Sequence, residues 1–423
     1  MNRIQVQGVE ELIKKSIYIS IYPFFVCLGI FLMIFSDLFE RICPKSLGYA
    51  DEGVAAVCIL LVIVMIFTTG RICIRRYYLL LFSILVIGVF GNIFWNVQTD
   101  MKVILRDLFL FVKPYVILLY IQLTLTESRA NAIYKFAMSI SKALLVITAV
   151  SSVITLKIPL GMTTDRGTFL FLGEFTGVVS WWTILFLAVV CSDKKNSRLF
   201  YFLLSTLIII RSESGLGTLA LALAVWVYFF VEMKKKFNWY YIFLMIPLCL
   251  WIGKNEIIEY LLNDTAPRFL LLYYAFVTAR NCFPLGSGFA SYGSMTAISE
   301  YSKLYYEYGF NKRWGMSEEY HPFLMDSYYP QIIAQFGYFG SVLYFPFLLA
   351  VLKKIILRVI DNNCRCSCLF LFFSWCIAGF GFGTASSWGC TVYLLLPVLA
   401  VAGKSSLVSN SVKKSSKGCN PAN

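Results

Sequence analysis

The chain has 423 residues, of which 59% are hydrophobic, 17% aromatic and only 14% charged, and its mean hydropathy is +0.73. Soluble domains are about half apolar and about a quarter charged, so this composition excludes a soluble enzyme with a small anchor, a disordered chain and a fibrous repeat. The net charge of +14 would suggest nucleic acid in a soluble protein; in a membrane protein it reads as basic cytoplasmic loops, and no nucleic-acid partner is expected.

A helix that crosses a bilayer needs about 20 mostly apolar residues. Such runs fall at 18–36, 53–69, 77–95, 108–125, 133–156, 170–191, 197–210, 214–231, 238–253, 329–352, 367–385 and 387–403. The expected fold is an all-α polytopic membrane protein of about 12 transmembrane helices, with one large extracytoplasmic loop between spans nine and ten. The first run lacks a small-residue cleavage pattern and is followed by further spans, so it does not read as a signal peptide. In chain order, the expected parts are a cytoplasmic segment at 1–17, nine helices within 18–253 and the loop at 254–328. Three more helices within 329–403 precede a Ser/Lys/Asn-rich tail, 404–423, expected to be disordered.

Basic residues set the orientation. If the N-terminus is inside, the inside segments carry twenty-two basic residues, in clusters such as Arg71/Arg75/Arg76, Lys234–Lys236 and Lys353/Lys354/Arg358, against seven in the short outside loops. That bias places both termini in the cytoplasm. Most of the thirteen cysteines fall within spans, as small hydrophobes. The spacing of Cys364, Cys366 and Cys368 is tighter than structural zinc sites use, so no metal is expected. Cys43 and Cys282 share the outer side, which allows a disulfide.

Ionisable groups inside spans are costly and read as functional candidates. The apolar run from 197 to 231 has basic clusters at both ends and, at about 50 Å, is too long for one crossing. It must turn at Arg211-Ser212-Glu213-Ser214-Gly215, below the outer surface, where irregular backbone needs a protein-lined or wet cavity. Glu174 lies about 12 Å into span six if helical, after Arg166, and the two fit one outer cavity. Lys113 reads as a snorkelling lysine, and Arg106–Asp107 as interfacial. In the long loop, Arg268 and Arg280 bracket Phe269–Ala279, eleven residues suited to a helix lying in the interface. The Gly286-Ser287-Gly288 segment is a turn signal without phosphate-loop context. The single histidine, His321, follows Glu318 and Glu319, whose carboxylates would favour its protonated form.

These features, in this order, resemble the bacterial O-antigen polymerases, and more distantly the O-antigen ligases and the rod-shape peptidoglycan polymerases. The likeness rests on Arg166 followed by Gly173-Glu174, on the Arg211–Gly215 turn, and on Arg280 followed by Pro284-Leu285-Gly286-Ser287-Gly288-Phe289. His321-Pro322-Phe323-Leu324 and the Gln331–Gly340 segment complete it. Two departures stand out: Glu213 replaces an arginine common in the turn, and Pro322 replaces an asparagine common after the histidine in ligases. The resemblance implies transfer of a growing glycan from undecaprenyl pyrophosphate onto a lipid-linked repeat unit at the periplasmic face of the inner membrane, without metal or cofactor. Arg166, Arg211, Arg268 and Arg280 would hold the pyrophosphate, whose oxygens suit the guanidinium fork. His321 or Glu174 would take the proton of the attacking hydroxyl. The lipid bilayer, the lipid-linked donor and acceptor, and a chain-length regulator and flippase of the same pathway would be its partners. The alternatives are an O-antigen ligase and a flippase or transporter of lipid-linked oligosaccharides. Transporters favour two related halves, and none is visible here.

Overall fold

The computed structural model describes residues 22–36, 49–69, 75–154, 163–164, 167–168, 176–193, 198–231, 247, 254, 258, 263–359, 361–383 and 385–417. The protein is built from helices: α1 (Tyr22–Ile34), α2 (Ala50–Thr69), α3 (Tyr77–Trp95), α4 (Met101–Thr124), α5 (Glu127–Ile154), α6 (Thr176–Cys191), α7 (Arg198–Ser212) and α8 (Gly215–Val225). After these come α9 (Pro267–Asn281), the short α10 (Met295–Ser299) and α11 (Lys303–Glu307), then α12 (Tyr329–Ile356), α13 (Asn362–Ala378) and α14 (Ala385–Lys417). A two-residue antiparallel ribbon pairs Thr163–Thr164 with Gly167–Thr168. Among the described residues, five helices are long and apolar enough to cross a membrane: those within α2, α3, α5, α12 and α14. The run expected at 238–253 lies, but for residue 247, outside the described residues.

Local chemistry sets several helix starts. Asp100 caps α4 by accepting from the Lys102 amide at 2.8 Å, and Asp361 caps α13 by accepting from Asn363 at 3.0 Å and Cys364 at 3.1 Å. The long apolar run does turn within the expected segment: α7 ends at Ser212, Glu213 takes φ +49°, and Ser214 caps α8. Ser212 and Ser214 are both buried there. The last helix, α14, runs to Lys417.

The core is aromatic. Phe111 of α4 meets Phe336 of α12 at 4.8 Å between ring centroids, and Trp181 of α6 stacks on Trp388 of α14 at 4.9 Å. The hydroxyls of Tyr115, Tyr344 and Tyr328 are joined at 2.9 and 3.2 Å. Residues 263–328 form a compact cap at one end of the bundle, hereafter the loop face. It has its own core of Leu270, Leu271, Ala275, Tyr292, Tyr305, Phe310 and Leu324. α9 lays Leu270, Leu271, Ala275, Thr278 and Ala279 inward and leaves Tyr273 and Phe276 exposed.

Candidate functional site

The cap is tied to the bundle by a buried stretch of irregular backbone, residues 286–291, inserted between α3, α4 and α12. Irregular backbone can be buried only if its polar groups find partners. Ser287 and Gly288 amides donate to Ala334 and Gln335 carbonyls at 2.9 and 3.0 Å. These carbonyls belong to the turn of α12 that is interrupted at Gly337 (φ 62°, ψ −166°). Asn92 reads the loop in both directions, donating to the Phe289 carbonyl at 2.9 Å and accepting from the Phe289 amide at 2.7 Å. The approach leaves no room for a side chain on α3: a Cβ at Gly91 would sit 2.8 Å from the Gly286 oxygen and the Gly288 nitrogen.

Asp107 completes the anchor. It is fully buried and accepts from the Ala290 amide at 2.5 Å and from Gln335 Nε2 at 2.9 Å. The sequence reading put Arg106–Asp107 at the interface; burial of this carboxylate corrects that, because three distant segments converge on it. Lys113 is likewise no snorkelling side chain. It is 1% exposed and donates to Asp51, to Glu52 at 3.0 Å and to Ser387 at 3.1 Å.

The cap brings together part of the expected site. Arg268, in the first turn of α9, lies 3.8 Å from the Asp326 carboxylate. Asp326 caps the end of the 3-10 turn Pro322–Met325, which packs against α9 and begins immediately after His321. Burial raises the Asp326 carboxyl to about 6, with Arg268 pulling it back. His321 Nδ1 faces the Glu318 carbonyl at 2.9 Å. A carbonyl only accepts, so this contact places a proton on Nδ1. The Glu318 carboxylate accepts from the Tyr306 hydroxyl. Trp314, 75% exposed, stands beside Tyr320 and Phe323 with ring centroids 5.6 and 5.3 Å away.

Arg211 reaches the same end of the bundle by another route. Its neighbour Ser212 bonds the Ser180 hydroxyl of α6 at 3.0 Å. One turn earlier, Gly177 abuts Phe382, and Gly383 bonds the Met325 carbonyl beside Asp326. Arg211 is half-buried, and its Nε has no hydrogen-bond partner among the described residues. Arg280 does not join this group. It is exposed at the far end of α9, twelve residues and so about 18 Å from Arg268. Arg166 and Glu174 lie outside the described residues, as does Cys43, the expected partner of the buried free thiol Cys282.

Asp326 escaped the sequence reading. The one available signal was an acidic residue five positions after His321 within an otherwise aromatic stretch. Among the described residues no cluster of three or more His, Cys, Asp or Glu is arranged to hold a metal ion. No protein-family model matches the chain, and no curated protein matches it.

Proposed function

We propose that the protein polymerises surface polysaccharide, moving a growing glycan from a polyprenyl-pyrophosphate carrier to an incoming lipid-linked repeat unit at the extracytoplasmic side of a bacterial inner membrane. The observation that carries the reading is Arg211: a half-buried cation at the loop face whose Nε lacks an acceptor among the described residues. An unmet guanidinium donor in a partly dry place suits a phosphate oxygen, and charge there is worth more than in water. Arg268 supplies a second cation at the same end of the bundle, already oriented by Asp326.

The chemistry follows from these parts. The acceptor hydroxyl gives its proton to Nε2 of His321 as its oxygen bonds the anomeric carbon of the donor. The bond from that carbon to the pyrophosphate oxygen breaks, and the electron pair leaves with the pyrophosphate, whose added charge the arginines stabilise. Trp314 and Tyr320 offer ring faces on which sugars stack. Glu174 remains the alternative base. Arg280, about 18 Å from Arg268 along α9, is assigned outside the pyrophosphate contact.

The test is a deletion strain complemented with the full chain. A polymerase null keeps single repeat units on its surface acceptor and loses the ladder of longer glycans. Loss of the single unit together with accumulation of lipid-linked polymer would replace this reading with the ligase. Accumulation of unflipped, inward-facing repeat units would replace it with the transporter.

A further inference from the structure

At the end of the bundle opposite the cap, a small open cleft is lined by α4, α12 and α14 and by the residue two before the start of α3. Three cations converge on it: Arg75 just before α3, and Lys354 and Arg358 at the end of α12. Basic residues are common on a cytoplasmic face, but nothing in that bias brings them to one cleft. Among the described residues, none of the three makes an ion pair and no carboxylate lines the cleft. Arg358 feels the crowding: burial, reinforced by the charge of Arg75, holds its guanidinium below the usual value. Gathering like charges is unfavourable unless an anion sits among them.

The neutral lining fits the same ligand. The Gln122 carbonyl oxygen accepts from the Tyr77 hydroxyl at 2.7 Å, so the amide N–H groups of Gln122 are what remains to donate. Leu125 and Val401 supply an apolar wall, and Leu357 beside it is 72% exposed. Cations and apolar side chains lining one cleft at a helix-bundle end match an amphiphile with a phosphate head.

We infer that this cleft binds the phosphate headgroup of an anionic phospholipid from the leaflet opposite the cap, held by Arg75, Lys354 and Arg358. This site is independent of the glycan-transfer reading, since it lies at the other end of the bundle and shares no residue with it.

The experiment is native mass spectrometry of the full chain, purified in detergent and titrated with dioleoyl phosphatidylglycerol or with dioleoyl phosphatidylcholine. Wild type should retain phosphatidylglycerol in preference to phosphatidylcholine. Arg75→Gln/Arg358→Gln should weaken that retention about tenfold or more, two charge-assisted contacts being lost. Arg75→Lys/Arg358→Lys keeps the charge and should retain most of the binding, which guards against a folding defect in the glutamine variant. Lys135→Gln, outside the cleft, should behave as wild type. Inorganic phosphate at constant ionic strength should fail to displace the lipid; displacement would reassign the cleft to a soluble phosphate compound and overturn the lipid assignment. Equal retention of both lipids by wild type, or unchanged retention by the glutamine variant, would overturn the site.

Discussion

The amide of Ala290 donates a 2.5 Å hydrogen bond to the carboxylate of Asp107, joining residues 183 positions apart. Through this bond and the neighbouring Gln335 contact, the large loop is fixed to the second turns of α4 and α12.

Removing that carboxylate strands two buried donors. Asp107→Ala should cost roughly 2–6 kcal/mol, at about 1–3 kcal/mol for each of the two groups left unpaired. Asp107→Asn keeps one acceptor oxygen and should lose less. Thermal unfolding of the purified protein reads the difference, and amide exchange at 287–291 should quicken in the alanine variant. An unshifted melting temperature for Asp107→Ala would show that the loop is held elsewhere.

The three loop-face cations should separate by position. Arg211→Ala and Arg268→Ala should each lower polymer formation by about 2–4 kcal/mol in the barrier, thirty- to several-hundred-fold in rate. Lysine at either position should recover only part, because it keeps the charge and loses the fork. Arg280→Ala should lose a few-fold at most. His321→Ala should lower turnover while leaving carrier binding intact. Glycan ladders at matched expression, beside carrier-binding measurements, distinguish these outcomes. Normal ladders from His321→Ala would move the base to Glu174.

Asp326 predicts a pH dependence of stability. Its folded value of about 6 exceeds the ordinary 3.8, so the folded state holds more protons than the unfolded state between these values. Stability from this group is full below about 4 and is lost as pH rises through about 6. Melting temperatures of wild type and Asp326→Asn, compared from pH 4 to 7, should show wild type losing ground to the variant as pH rises. A constant difference across that range would contradict the buried environment.

Lys113 with Asp51 and Glu52 forms an ion cluster that should be intolerant of partial removal. Lys113→Met leaves two carboxylates facing each other and should destabilise by roughly 3–5 kcal/mol. Combining it with Asp51→Asn and Glu52→Gln should restore much of that loss. Yield and melting temperature in detergent would report both, and failure of the triple variant to recover would mean the cluster also positions α2.

The all-helical, membrane-spanning character was legible because run length and apolarity are local properties, and among the described residues five helices are long and apolar enough to cross. So was the break after Arg211, because the apolar run there is too long for a single crossing. The anchors were not legible. Asp107 looks interfacial beside Arg106, and only the fold reveals that Ala290 and Gln335 close over it. Lys113 finds its carboxylates about sixty residues earlier. Gly286 and Gly288 announced a turn, but a turn signal carries no depth, and their burial depends on Gly91 and Gly337.

The mating of residues 286–291 with the broken turn of α12 limits how this protein can be re-engineered. Transplanting this cap onto another helical bundle would require its socket to travel as well: Gly91, Asn92, Asp107, Gln335 and Gly337. A cap moved alone would meet a continuous helix with no free carbonyls and a wall of new Cβ atoms. Any exchange of the cap as a module is thus a change of at least three further chain segments at once, whereas substitutions confined to the exposed Trp314–Tyr320 rim leave that joint untouched.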